Sequence, residues 1–498
     1  GERQIIDIAE ALDGGIAARD ITYVKGTAYW ADNLSRVYEY ALIDSFEKVS
    51  NDKKAYCAAF MTQYREQDAI SGATLVQPHG SGFVVVNSPA MPLSRNELDA
   101  VYDLPYTRLP HPSYTEHIPA LDEVRFSLVS CRGCYGQCAF CALTFHQGRV
   151  IQSRSHESLI AEAKLMTKMP EFKGYIHDVG GPTANFRQPA CKKQLTKGVC
   201  KDRTCLGYSP CKNVEVSHTD YVELLRKLRR LDGVKRVFIR SGIRYDYLMY
   251  DKDETFFKEL IKYHISGQLK VAPEHIDDHV LEMMGKPGGE LYQRFVRRYK
   301  QLNDALGMNQ YIVPYFMSSH PGSTLNSAIA LAEYLKASGQ RPEQVQDFYP
   351  TPGTLSTCMF YTGLDPRTMK PVYVPVSPEE KAMQRALMQF FIPKNRPLVR
   401  KALRLADRDD LIGSGRNCLV PDVHQSPAHS GGSSSATKSN HRSHYGATEH
   451  SAIKRKDARQ NTRFGSVEQS RSNGPNSGVQ GKKMGKTSDK RSGVKKHR

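Results

Sequence analysis

Four of the chain's eleven cysteines fall within "CRGCYGQCAFC", residues 131 to 141. Thiols at that density hold metal, carry redox chemistry or pair with one another. A structural zinc site takes four ligands, usually as two close pairs a dozen or more residues apart, and four cysteines in one loop fit that poorly. An iron-sulfur cubane is held by thiolates, normally one per iron. The triplet Cys134-x3-Cys138-x2-Cys141 would hold three irons and leave the fourth open to an exogenous ligand, which is what a reaction site needs. Cys131 lies outside the triplet and reads as a core thiol at a strand end.

A second set, Cys191, Cys200, Cys205 and Cys211, is spread through "CKKQLTKGVCKDRTCLGYSPC". The insertion around it, residues 186 to 216, is rich in Lys and polar residues, so something other than an apolar core must hold it. Four thiolates can bind zinc or a second iron-sulfur cluster. The spacing matches no zinc pattern, and reactive or paired thiols, or no special role, stay open.

A length of 498 residues with 39% hydrophobic content suits a large domain or two domains plus extensions. No run of about 18 uncharged apolar residues appears, and the first thirty residues lack the pattern of a secretory signal. The expectation is a soluble, cytoplasmic protein without a membrane partner, where a cysteine cluster binds metal rather than forming disulfides. The chain opens on Gly1, which reads as a fragment or a processed product. Of the formal charge of +18, residues 421 to 498 carry 16 Lys/Arg against 5 Asp/Glu, leaving +7 on the first 420. That tail is nearly empty of aliphatic residues and is expected to be disordered; its basic runs suggest weak RNA contact, or a merely solubilising role.

The elements that must position the cysteines follow from the pattern of short apolar runs between residues 120 and 350. Strands are predicted at 124 to 129, 174 to 179, 237 to 240, 268 to 272, 311 to 316 and 345 to 349. Helical periodicity over 156 to 169 and 219 to 231 puts Leu159, Ile160, Ala163 and Met166, and Tyr221, Leu224, Leu225 and Leu228, on single faces, with Thr219 as an N-cap. Six β-then-α units argue for an α/β fold, a partial (β/α)6 TIM-like barrel, in which functional residues sit after the strands. The unusual motifs do follow them: the cysteine run, "DVGGPTANF" (178 to 186), "RSGIRYD" (240 to 246), "VAPEH" (271 to 275), "SSHPG" (318 to 322) and "YPTPG" (349 to 353). Upstream, Phe83 to Val86 reads as a strand and Ser94 as a helix cap.

"CYGQCAFC", with the aromatic Phe140 before its last cysteine, resembles the cluster loop of the radical S-adenosylmethionine (SAM) enzymes. "RGCYGQCAFCALTFHQGRVIQSRS", "DVGGPTANF", "RSGIRYD", "KVAPEH", "KPGG", "VPYF", "SSHPG" and "YPTPGTLSTCMFYTG" resemble, in order, the YgiQ-type radical SAM proteins over most of residues 35 to 420. That resemblance implies residues 1 to 119 as a remnant of a preceding α/β domain plus a connector, 120 to 360 as the core barrel with the 186 to 216 insertion, 361 to 420 as an extension packed on it, and 421 to 498 as the tail.

The resemblance implies a 4Fe–4S cluster on Cys134, Cys138 and Cys141, reductive cleavage of SAM to a 5'-deoxyadenosyl radical, and hydrogen abstraction from an unknown substrate. It further implies that Gly180 and Gly181 approach the SAM amino group, although Pro182 replaces the usual Glu, and that Arg154 suits the SAM carboxylate. Phe140, Ser241 and Glu274 are candidate cofactor or substrate contacts, and His275 a possible acid or base. A reductant such as flavodoxin or ferredoxin would be the partner. The rival reading is an RNA-associated binding protein with a structural iron-sulfur cluster.

Overall fold

The computed structural model describes residues 1–422, so the basic runs expected to be disordered and RNA-binding lie outside the described residues. Near the N-terminus, β1 (Ala28–Ala31), β2 (Tyr40–Leu42), β3 (Thr74–His79) and β4 (Gly82–Val86) form one sheet in the order β1-β4-β3-β2, with β2 and β3 parallel and the other pairs antiparallel. Ser94 caps the helix Arg95–Tyr102 through a reciprocal box: its hydroxyl accepts from Glu97 N at 3.3 Å, and the Glu97 carboxylate accepts from Ser94 N at 2.8 Å.

All six strands read from the core sequence are present. They are β5 (Ser127–Val129), the broken pair β8 (Tyr175–Ile176) and β9 (Asp178–Gly180), β10 (Arg236–Val237), β11 (Gln268–Glu274), β12 (Tyr311–Ser318) and β13 (Gln346–Asp347). β5, β10 and β13 are shorter than expected, β5 because Val124 closes the helix Pro119–Val124. Between them, β6 (Cys131–Arg132) and β7 (Gln152–Ser153) pair antiparallel and pinch together the two ends of the cysteine loop.

The ladders β5–β9, β8–β10 and β11–β12–β13 are all parallel. Among the described residues they remain separate sheets rather than the one curled sheet expected from the repeat. The gap between β10 and β11 has a local cause. The His264 carbonyl accepts from Ile239 N at 3.1 Å and its ring Nδ1 bonds the Val237 carbonyl at 2.8 Å, so the edge of β10 is satisfied by His264 rather than by β11.

Helices cover these strands with the faces their periodicity predicts. Leu159, Ala163 and Met166 are buried, with Ile160 partly so, as are Tyr221, Leu224, Leu225 and Leu228; each fully buried Leu contributes about 1.5–3 kcal/mol relative to exposure. The expected N-cap is corrected by one residue. The helix starts at Thr219 itself, because His218 is pinned in front of it by Asp251 at 2.6 Å and by stacking on Phe256 at 4.6 Å. The later helices Pro378–Met388 and Arg396–Leu405 bury Met383, Leu387, Val399 and Leu403 in the same core. No helix among the described residues is long and apolar enough to cross a membrane.

Candidate cluster and cofactor site

Within the loop held between β6 and β7, backbone bonds fix the three cysteines of the triplet. Cys134 N donates to Gly148 O at 3.0 Å, Cys141 N to Cys138 O at 3.1 Å, and Ala139 N to Met284 O at 2.8 Å, which ties the loop to the helix Asp278–Met284. Gln137 sits at φ 49°, a left-handed turn that brings Cys138 back beside Cys134. The three thiols are free and line one cleft, while Cys131 is 1% exposed and stays in the core.

Hydrogen-bond donors are aimed at the triplet's sulfurs. Gly136 N donates to Cys134 Sγ at 3.4 Å, the Thr183 hydroxyl lies 3.7 Å from the same sulfur, and Arg244 Nη1 donates to Cys138 Sγ at 3.2 Å. Burial pushes the Cys141 thiol up to about 11 and raises that of Cys134, with the charge of Cys138 adding to each. The Cys134 and Cys141 thiols therefore hold their protons more firmly than usual, and binding iron requires their release. Three thiols on one cleft, with N–H and O–H groups aimed at their sulfurs, match the thiolate set of an iron-sulfur cluster. The donor set fits a cluster.

Arg244 is 8% exposed and clamped by Asp246 through bonds of 2.8 and 2.5 Å. Burial opposes its charge, but Asp246 outweighs that and holds the guanidinium ionised. Deeper in the cleft, buried Lys286 lies 3.9 Å from Glu274. Glu274 is at φ 70°, where the register between β11 and β12 slips, and the bulge turns its carboxyl into the cleft. Burial raises its pKa, which Lys286 and Arg244 partly offset.

The other expected site residues divide. Phe140 and Ser241 line the cleft, with the Ser241 hydroxyl on Asp178. Gly180 and Gly181 stand just short of it, behind Pro182 and Thr183. Their lack of a side chain is required by the protein itself: a Cβ on Gly180 would lie 2.2 Å from Ser241 Oγ, and one on Gly181 2.6 Å from Cys131 Sγ.

Arg154 is not brought to the cleft. It is 1% exposed, ion-paired with Glu162, bonded to Ser158 Oγ at 2.8 Å and stacked 4.0 Å over the Tyr102 ring, so its guanidinium is fully occupied away from the thiols. His275 accepts from Asp277 N at 3.0 Å, and burial holds it neutral with a pKa of about 4, so it serves the local turn. Sequence reasoning missed Arg244, Asp246 and Lys286. The first two were visible as Arg-x-Asp in "RSGIRYD", the third in "KPGG".

Cys191, Cys200, Cys205 and Cys211 do not line this cleft. Cys205 packs against the buried cluster of Tyr135, Phe186, Ala190, Leu206 and Tyr247, which Cys134 also touches.

Three family profiles match the chain: Radical SAM N-terminal over residues 1–127, Radical SAM superfamily over 128–335, and a domain of unknown function (DUF3362) over 343–491. The UPF0313 protein CPE1196 of Clostridium perfringens is 58% identical over 424 residues, 84% of this chain and 64% of that protein. The UPF0313 protein CLJ_B0249 of Clostridium botulinum is 56% identical over 423 residues, 84% of this chain and 66% of that protein. The chain thus spans about 64% of the length of the first of these relatives. Among solved structures, the radical SAM methyltransferase TsrM from Kitasatospora setae, with cobalamin and a 4Fe–4S cluster bound, aligns at a TM-score of 0.35 and 13% identity over 82% of this chain and 77% of that one.

Proposed function

The chain belongs to the radical SAM superfamily, whose cofactors are a 4Fe–4S cluster and SAM, and on that premise we propose that Cys134, Cys138 and Cys141 hold the cluster and that the adjoining cleft binds SAM. When bound, the cluster supplies the electron that cleaves the SAM sulfonium to a 5'-deoxyadenosyl radical for hydrogen abstraction from substrate. The observation that carries this reading is the division of the loop's four thiols: three free ones open onto a single cleft, and the fourth, Cys131, is buried behind them.

The chain's own groups have distinct tasks there. Arg244, locked by Asp246, holds a proton donor on the Cys138 sulfur and stabilises negative charge on it. Lys286 gives the cleft a buried cation suited to a carboxylate, and Phe140 provides an apolar wall that excludes water. The succession of parallel strands with these residues at their C-terminal ends supports a partial (β/α)6 barrel as the scaffold. The rival RNA-binding reading rests on the basic tail, and no observation among the described residues favours it.

The test is anaerobic reconstitution with iron and sulfide, reduction by dithionite, and chromatography of the nucleoside products. The wild type is expected to convert SAM to 5'-deoxyadenosine and Cys138→Ala to form none. Iron-loaded wild-type protein that binds SAM but leaves it intact would overturn the proposal.

A further inference from the structure

The insertion after β9 holds four more thiols, and they come together. Its only regular element is the short helix Lys193–Lys197, and it buries few apolar side chains: Phe186, Ala190, Val199 and Leu206. A segment with so small a core needs a staple to offset its chain entropy. No disulfide provides it, since Cys191, Cys200, Cys205 and Cys211 are all free.

They are gathered nonetheless. Cys211 N donates to Cys205 O at 3.0 Å, and Cys191, Cys211 and Cys200 all stand close enough to Cys205 for their charges to act on its sulfur. Donors surround the set as they surround the triplet. Lys193 Nζ donates to Cys200 Sγ at 3.4 Å. Gln194, 2% exposed, accepts from Ala190 N at 2.9 Å and turns its amide toward Cys205 Sγ at 3.8 Å. Buried Arg149 donates to Cys200 O at 3.0 Å and sets a positive charge near Cys205. Four thiolates would carry a charge that these two cations and the amide offset.

Four thiols in one insertion match a cluster that takes one thiolate per iron.

We propose that Cys191, Cys200, Cys205 and Cys211 form a second iron-sulfur site, one thiolate per iron, in the insertion following β9. With four protein ligands it has no open iron, so it takes no SAM and serves to hold the insertion and store an electron. One cysteine of each set, Cys134 and Cys205, packs against the buried cluster in which Tyr135 stacks on Phe186 at 4.0 Å, so the two sites share one aromatic cluster.

The test combines two chains reconstituted anaerobically with ferrous iron and sulfide, each checked for folding by circular dichroism. Wild type is expected to hold about eight irons, and the variant with Cys134, Cys138 and Cys141 all changed to Ala about four, with a paramagnetic signal on dithionite reduction. A folded triple variant without iron, or with zinc in its place, would overturn the site. Should that variant not fold, the wild-type count decides, and about four irons or fewer overturns it. Cys200→Ser separates this proposal from the first: it is expected to halve the iron while the triplet's signal, and its response to added SAM, remain.

Discussion

Arg244 donates to the Cys138 sulfur at 3.2 Å while its other edge is clamped by Asp246, so the cysteine loop and the third strand-end motif are joined by a single guanidinium. A donor on a cysteine sulfur favours the reduced, more negative cluster and raises its potential. Arg244→Lys keeps a charge against Asp246 but loses the rigid fork that reaches both partners. Reconstituted Arg244→Lys is expected to retain its iron and to show a midpoint potential about 60 mV more negative, one tenfold step for a one-electron couple. Potentiometric titration followed by electron paramagnetic resonance measures it, and an unchanged midpoint would show that the contact has no electronic effect.

The glycine pair is governed by its protein neighbours. Gly181→Ala would place a Cβ 2.6 Å from Cys131 Sγ and 3.0 Å from the Cys131 carbonyl, an overpacked contact costing about 1–3 kcal/mol. Because the sulfur is the nearer atom, Cys131→Ala in the same chain is expected to restore part of that loss, and Cys131→Ala alone to keep the triplet's iron. Urea midpoints of the single and double variants give the coupling, and purely additive losses would contradict a direct clash.

These residues also mark what could be read from the sequence. The six strands and the motifs after them were legible because each depends on a few contiguous residues. Continuity of the sheet was not: between β10 and β11 it is interrupted where His264, in a segment between the two strands, takes the edge of β10, a pairing that no local pattern encodes. Arg154 was placed by resemblance, and its true partners, Glu162 and Tyr102, lie in other elements. The triplet was legible as spacing, whereas Arg244 became visible only once folding set it against Cys138.

Acid is expected to unfold this protein partly through His264. Its ring is fully buried, Nδ1 bonds the Val237 carbonyl, and Nε2 has no partner. Burial lowers its pKa from 6.5 to about 4. A histidine kept neutral in the fold takes up its proton more readily when unfolded, so its contribution is full above pH 6.5, falls as pH drops through 6.5, and is fully lost below about 4. The loss between pH 7.5 and pH 5 is about 2 kcal/mol. His264→Gln, which does not titrate there, is expected to show a pH dependence of unfolding flatter by about that amount. Equal slopes in the two proteins would assign the acid sensitivity elsewhere.

Arg154 separates a cofactor contact from a scaffold contact. Its guanidinium joins Glu162 on the helix His156–Thr167 to the Tyr102 ring and to the Val129 carbonyl at the end of β5, and Glu162 is also paired with Arg108. Removing the guanidinium leaves the Glu162 carboxylate, largely buried, with one partner fewer, a loss of about 3–5 kcal/mol when a buried pair is broken. Arg154→Met is therefore expected to lower the unfolding midpoint sharply, and Glu162→Gln in the same chain to recover part of it by removing the stranded charge. If Arg154 acts through the fold alone, the folded fraction of Arg154→Met binds SAM with the wild-type dissociation constant. A tenfold weaker constant measured on correctly folded protein would return Arg154 to the SAM carboxylate and require the loop after β7 to move when SAM binds.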